Sequence, residues 1–232
     1  MWAGDHDLWD PSYISRCTSV LEEDPTVVLA YSRTMLVDLE GDPIELLPDQ
    51  IDTRGMTSSE RYVHLIRNLR WCNMVYGVIR RESLKQTSLL RNIFGPDHLL
   101  LAELALKGAF AQVPAPLFYR RQNRPDENVD RDAEAWKLRV IEGLDPDANS
   151  NMRKTTLTNL YRALRNEHLW LIRSSSFSRR EKLRTMMETL RCYESNFGVE
   201  WPGGRLFRKI RNNRVLDSLL RKIRLHRQRR LF

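Results

Sequence analysis

Apolar, β-branched runs alternate with amphipathic stretches over the first 125 residues, and this alternation predicts an α/β fold. Two further observations refine it. Capping boxes and a Pro-Asp start mark helices between the apolar runs. Beyond Arg124-Pro125 the strand signals stop, so an α-helical appendage is expected there. The predicted organisation is an α/β domain over 1–125, a helical appendage over 126–200 and a basic amphipathic helix over 201–232.

Each element has a local reason. Asp10-Pro11 reads as N-cap and first helical residue, and Ile14, Cys17, Val20 and Leu21 recur at helical spacing before Asp24-Pro25. TVVLAYSRTMLVD is an apolar run of the buried-strand kind, and Glu40-Gly41-Asp42 turns it toward a short partner at Ile44–Leu47. Thr57-Ser-Ser-Glu60 is a capping box opening a helix to about Leu69. NMVYGVIRR reads as a further strand, with Gly77 where a side chain would obstruct something close. Pro96-Asp97 starts LLLAELALK, which ends at Gly108, and FAQVPAPLFYRR returns extended.

In the appendage an acidic stretch, Asp126 to Glu134, leads into a helix with Trp136, Val140 and Ile141. A second helix aligns Leu157, Leu160, Tyr161 and Leu164. A third opens on the capping box Ser178-Arg-Arg-Glu181 and stacks Leu183, Met186, Met187, Leu190 and Phe197. Trp201-Pro-Gly-Gly204 sets it off from the last helix.

Composition narrows the function classes. The 232 residues are 41% hydrophobic and 29% charged, a soluble globular balance, and no apolar run reaches the roughly 20 residues of a membrane span. No secretory leader is read. Cys17, Cys72 and Cys192 are too far apart for ligand spacing and read as reduced thiols of a cytoplasmic protein. The net charge of +8 belongs to the tail: residues 205–232 carry eleven Lys and Arg against one acid, whereas the rest carries 27 basic and 29 acidic residues.

The motifs WAGDHDLWDPSYISRC, DPTVVLAYSRTMLVDLEG, NMVYGVIRRESL, FGPDHLLLAELALKG and VPAPLFYRR, in this order, resemble the second half of a family 2 glycosyltransferase of the GT-A (Rossmann-like) fold. The similarity runs from Met1 to about Arg124. It implies that Asp5-His6-Asp7 matches the DxD motif, whose carboxylates hold Mn²⁺ or Mg²⁺ against the diphosphate of a nucleotide-sugar. Hard oxygen ligands suit such a cation, and the cation neutralises charge on the departing diphosphate. It further implies Asp97 as the general base of an inverting reaction, Tyr76 and Gly77 at the acceptor, and Arg120 and Arg121 near the donor diphosphate. The chain departs from the family in two places. Only Met1–Gly4 precede the triplet, where the family places a nucleotide-binding half, and Pro96 stands where many members carry a second acid.

Plainer readings stand beside these. Asp5 and Asp7 suit an Asp-rich turn, Asp97 suits the first turn of a helix by charge alone, and Arg120 and Arg121 suit a strand end. His6 and His98 are left unassigned. In the tail, Leu216, Leu219, Leu220 and Ile223 form a stripe among Arg and Lys. It fits a helix docked on its neighbours or lying on an anionic membrane, with nucleic acid third.

The expected function is metal-dependent transfer of a sugar to a saccharide or lipid-linked acceptor, as in polysaccharide biosynthesis, at the inner face of the membrane. The alternatives are an inactive or split glycosyltransferase fragment, working with a separate nucleotide-binding half if at all, and a nucleic-acid binder acting through the tail.

Overall fold

The computed structural model describes residues 1–48, 50–122, 137, 141–143 and 155–201. It is a mixed α/β structure, as expected. Its sheet runs in the order β1 (Leu8–Trp9), β5 (Ala109–Arg121), β2 (Val27–Val37), β3 (Pro43–Leu46), with β4 (Val78–Ile79) pairing β2 beside that path. The two long strands β2 and β5 are parallel neighbours and the other pairs are antiparallel. Every residue from Val27 to Ser32 is buried. A central parallel pair covered on both faces demands this run of apolar residues without alternation.

One face packs on α1 (Tyr13–Glu23) through Tyr13, Cys17, Leu21, Ala30 and Phe118. The other packs on α2 (Ser58–Asn68) and α4 (Pro96–Lys107), with the four-residue α3 (Arg81–Leu84) at the edge. Beyond these lie α5 (Leu157–Ser174) and α6 (Arg179–Phe197). Ile172 of α5 and Cys192 of α6 belong to the same buried cluster as Tyr62, Leu65, Leu100 and Leu104. Each fully buried leucine there contributes about 1.5–3 kcal/mol, so the appendage helices share the core of the α/β layer.

Several local expectations hold. Thr57 and Ser178 both head complete capping boxes, with Glu60 and Glu181 closing back on the cap nitrogens. Gly77 is where a close approach requires glycine, since a Cβ there would sit 2.7 Å from the Ala30 carbonyl oxygen. None of the three cysteines is in a disulfide.

Others need correction. The first helix is capped at Ser12, and Asp10 instead accepts from the Ser12 N–H (2.8 Å) in a turn ahead of it. Its buried face is Tyr13, Cys17 and Leu21, leaving Ile14 49% exposed. NMVYGVIRR is not one strand: Cys72–Tyr76 is a 3-10 turn, and only Val78–Ile79 pairs. Gly77 N–H bonds back to Met74 O (2.9 Å), which closes that turn and buries Met74 and Val75 without a ladder. Gly108 does end α4, but in extended backbone. Glycine is needed there because a Cβ would lie 2.2 Å from Val28 Cγ1. On α6 the buried face is Thr185, Thr189, Cys192 and Tyr193, while Leu183 is exposed. The segment Asp126 to Glu134, Trp136, Val140 and the 205–232 tail with its leucine stripe lie outside the described residues; Ile141 is described and buried.

Candidate functional site

The Asp97 end of α4 opens on a cleft of about 580 Å³. Its walls come from three stretches far apart in sequence: Leu69–Tyr76 around the 3-10 turn, Ile93–His98 at the α4 start, and Tyr161, Leu164 and Phe197 from the appendage helices. Arg120, near the end of β5, closes the remaining side. Thus Asp97, Tyr76 and Arg120 line one cavity. Gly77 does not line it, being turned against the Ala30 carbonyl.

Asp97 is the second residue of α4, and its carboxylate accepts from the His98 N–H at 2.8 Å. Pro96 at the first position has no N–H to offer, so Asp97 answers the helix dipole while keeping oxygen capacity for a ligand. The helix is capped by Gly95 in left-handed backbone (φ 65°), with no side-chain cap. That geometry brings the chain directly onto Leu164 of α5, whose Cδ2 would lie 2.7 Å from a Cβ on residue 95.

Arg120 is held flat and forward. Its guanidinium carbon lies 5.2 Å from the Trp71 ring centroid, and Nη1 donates to Asn73 Oδ1 at 2.9 Å. Asn73 is 6% exposed, and its Nδ2 is buried without a partner among the described residues.

The triplet does not line this cleft. Leu8 pairs with Tyr119, and Asp7 accepts from the Arg121 N–H at 3.1 Å, continuing the β1–β5 contact by one residue. Asp7's side chain is 2% exposed and Asp5's 99% exposed. The His6 imidazole stands between them, with Nδ1 2.8 Å from Asp5 and Nε2 3.6 Å from Asp7. Arg121 thus meets Asp7 through its backbone, and its own Nε is buried without a partner among the described residues. Among the described residues no three His, Cys, Asp or Glu side chains gather at metal distance. Two carboxylates split by an imidazole, one buried against backbone and one in solvent, do not fit a divalent-cation cage as they stand. No chemical step below is routed through a metal.

Behind the cleft runs a chain that the sequence did not announce. His98 Nδ1 lies 3.0 Å from His168 Nε2 of α5, whose Nδ1 lies 2.7 Å from the Tyr62 hydroxyl of α2. Burial pulls His98 down to about 4, with the nearby Asp97 opposing the fall. Burial, and then the His98 ring, hold His168 well below the ordinary range. Both rings are therefore neutral, each contact carrying one proton. The signal was present in α5: His168 interrupts the Leu164–Ile172 stripe at helical spacing, and a polar residue on a buried face needs a partner. Trp71 and Asn73 had no comparable signal, because the 3-10 turn was read as a strand.

No family model matches the chain, and a search of curated proteins returns no match.

Proposed function

We propose that the chain is glycosyltransferase-like, with Asp97 taking the proton from an acceptor hydroxyl bound in the cleft. The observation that supports this best is the convergence of Asp97, Tyr76 and Arg120 on one cavity from three separate motifs. In the reaction, the acceptor oxygen attacks the anomeric carbon of a nucleotide-sugar. The bond from that carbon to the diphosphate breaks, the diphosphate leaves with the electron pair, and the acceptor proton passes to Asp97. The sugar is inverted by this single displacement. Tyr76 borders the acceptor, and Arg120, expected from the sequence near the donor diphosphate, is assigned in this reading to the acceptor side, since it lines the same cavity as Asp97 and Tyr76. Arg121 serves the strand junction beside Asp7, and the cation expected at Asp5 and Asp7 belongs to this reading only as a cosubstrate of the donor.

The setting proposed is the cytoplasmic side of a membrane with a saccharide or lipid-linked acceptor. Among the described residues no helix is long and apolar enough to cross a membrane.

The test is release of sugar from a panel of nucleotide-sugars by the folded chain, with Mn²⁺ and with chelator. Turnover that falls by about 100-fold or more in Asp97→Asn, the scale of a lost general base, supports the reading. A folded wild-type chain that turns over no donor in either condition overturns it.

A further inference from the structure

Among the described residues the cleft holds one carboxylate and two guanidinium groups, and no carboxylate pairs with either arginine. Arg70 stands on its exposed rim, and Arg120 stands on the wall between Trp71 and Asn73. Asn73 adds a second point. It is more than nine-tenths buried, its Oδ1 is used by Arg120, and its Nδ2 has no partner among the described residues. A buried amide N–H without an acceptor is costly and is normally answered by a ligand or water. Asp97 across the cavity keeps acceptor capacity, which suits a hydroxyl and repels an anion. The two walls therefore ask for opposite ends of one molecule.

We propose that the cleft binds a hydroxylated compound carrying a phosphate ester, with its hydroxyl on Asp97 and its phosphate on Arg120, Asn73 and Arg70. The fork of Arg120 is fixed by ring and amide before the ligand arrives, so little side-chain freedom is lost on binding. Tyr161 and Phe197, stacked at 4.1 Å, and Phe94, edge-on to Tyr161 at 4.9 Å, add an apolar wall to the same cleft. Part of that wall is supplied by α5 and α6, which gives the helical appendage a role in choosing the ligand. The assignment of this molecule as the acceptor rests on the function proposed above, but its binding does not.

The test is titration of the full chain at fixed ionic strength with glucose, glucose 1-phosphate, inorganic phosphate and uridine diphosphate, read by calorimetry and amide chemical shifts. Glucose 1-phosphate is expected to bind about tenfold or more tightly than glucose, the scale of one charge-assisted contact. Arg120→Met is expected to remove that advantage, and Arg70→Met, on the exposed rim, to reduce it without endangering the fold. Asp97→Asn is expected to weaken glucose 1-phosphate and leave inorganic phosphate unchanged. Octyl glucosyl phosphate separates the two sources: tighter binding than glucose 1-phosphate names a lipid-linked ester, weaker binding a soluble one, and either supports the phosphate assignment. Equal binding of glucose and glucose 1-phosphate overturns the proposal. So does competitive displacement of glucose 1-phosphate by uridine diphosphate with no effect of Asp97→Asn, which would place Arg120 on the donor side. Neither result bears on donor turnover, so the two readings fail separately.

Discussion

His98 Nδ1 and His168 Nε2 face each other at 3.0 Å, and this contact ties the helix that carries Asp97 to the first long helix of the appendage. With Tyr62 at 2.7 Å on the far side, three helices meet through neutral polar groups inside an apolar cluster. Such a chain is stabilising only while it stays uncharged, because two imidazolium rings at this distance would repel in a poorly solvated site.

Stability should therefore fall on mild acidification. In the unfolded chain each ring takes a proton near the ordinary histidine value of about 6.5. In the folded chain His98 resists until about 4, and His168 too is held well below the ordinary value by burial. Between those limits the unfolded state binds more protons, so unfolding becomes easier as pH drops, by up to about 1.4 kcal/mol per pH unit for each ring. Urea unfolding at several pH values between 7 and 4 measures the slope. His168→Phe should make it markedly shallower. An unchanged slope would show that other groups dominate.

The left-handed turn at Gly95 offers a second measurement. A side chain at φ 65° costs about 1–2 kcal/mol, and the new Cβ would meet Leu164 Cδ2 at 2.7 Å. Gly95→Ala should cost about 1–3 kcal/mol in urea unfolding. In a Leu164→Ala background the contact vanishes and only the backbone strain remains, so the alanine at 95 should cost less there. Equal costs in the two backgrounds would mean that Leu164 yields freely.

How much of this was legible depends on whether a residue's reason is local. The capping boxes at Thr57 and Ser178 and the strand over Val27–Val37 follow from near neighbours and appear as read, whereas the close approach expected at Gly77 is met by a residue remote in sequence, the Ala30 carbonyl of β2. The strand read at NMVYGVIRR failed because apolar content cannot distinguish a ladder from a turn that buries Met74 and Val75 under β2. Asp97 and Arg120 were visible as chemistry-bearing residues and His168 only as a polar residue on an apolar stripe, whereas Asn73 and Trp71 carried no signal. Their roles arise only when the 3-10 turn, β5 and α5 come together.

Arg80 is another residue whose role is purely tertiary. Its side chain donates to the carbonyls of Leu21 and Asp24 at the end of α1, and to Val27 O at 2.7 Å where β2 begins. A cation at a helix C-terminus satisfies carbonyls that have no partner within the helix and opposes the negative end of the dipole. Arg80→Met should lower stability by about 1–3 kcal/mol, read as a drop in melting temperature. Arg80→Lys should recover less than half, since a single ammonium cannot reach three carbonyls with a planar fork. Full recovery by lysine would show that charge alone suffices.

The acids of the opening triplet should behave oppositely to one another. Asp7 is buried and accepts the Arg121 N–H that extends the β1–β5 contact, and Gly4 leaves room for its other oxygen, which would lie 3.0 Å from a Cβ there. Asp5 reaches into solvent beside His6. Asp7→Ala strands a backbone donor and should cost about 1–3 kcal/mol, whereas Asp5→Ala should stay within about 0.5 kcal/mol. Asp7→Asn keeps an acceptor oxygen and should fall between. Repeating the unfolding curves with millimolar Mn²⁺ separates architecture from metal binding, because a cation held only by the folded chain raises stability in proportion to RT ln(1 + [L]/Kd). With one carboxylate engaged by backbone and the other bound to an imidazole, the expected gain from Mn²⁺ is small. A large gain that disappears in both Asp5→Ala and Asp7→Asn would show instead that the triplet rearranges around the ion, with His6 swinging out from between the two carboxylates.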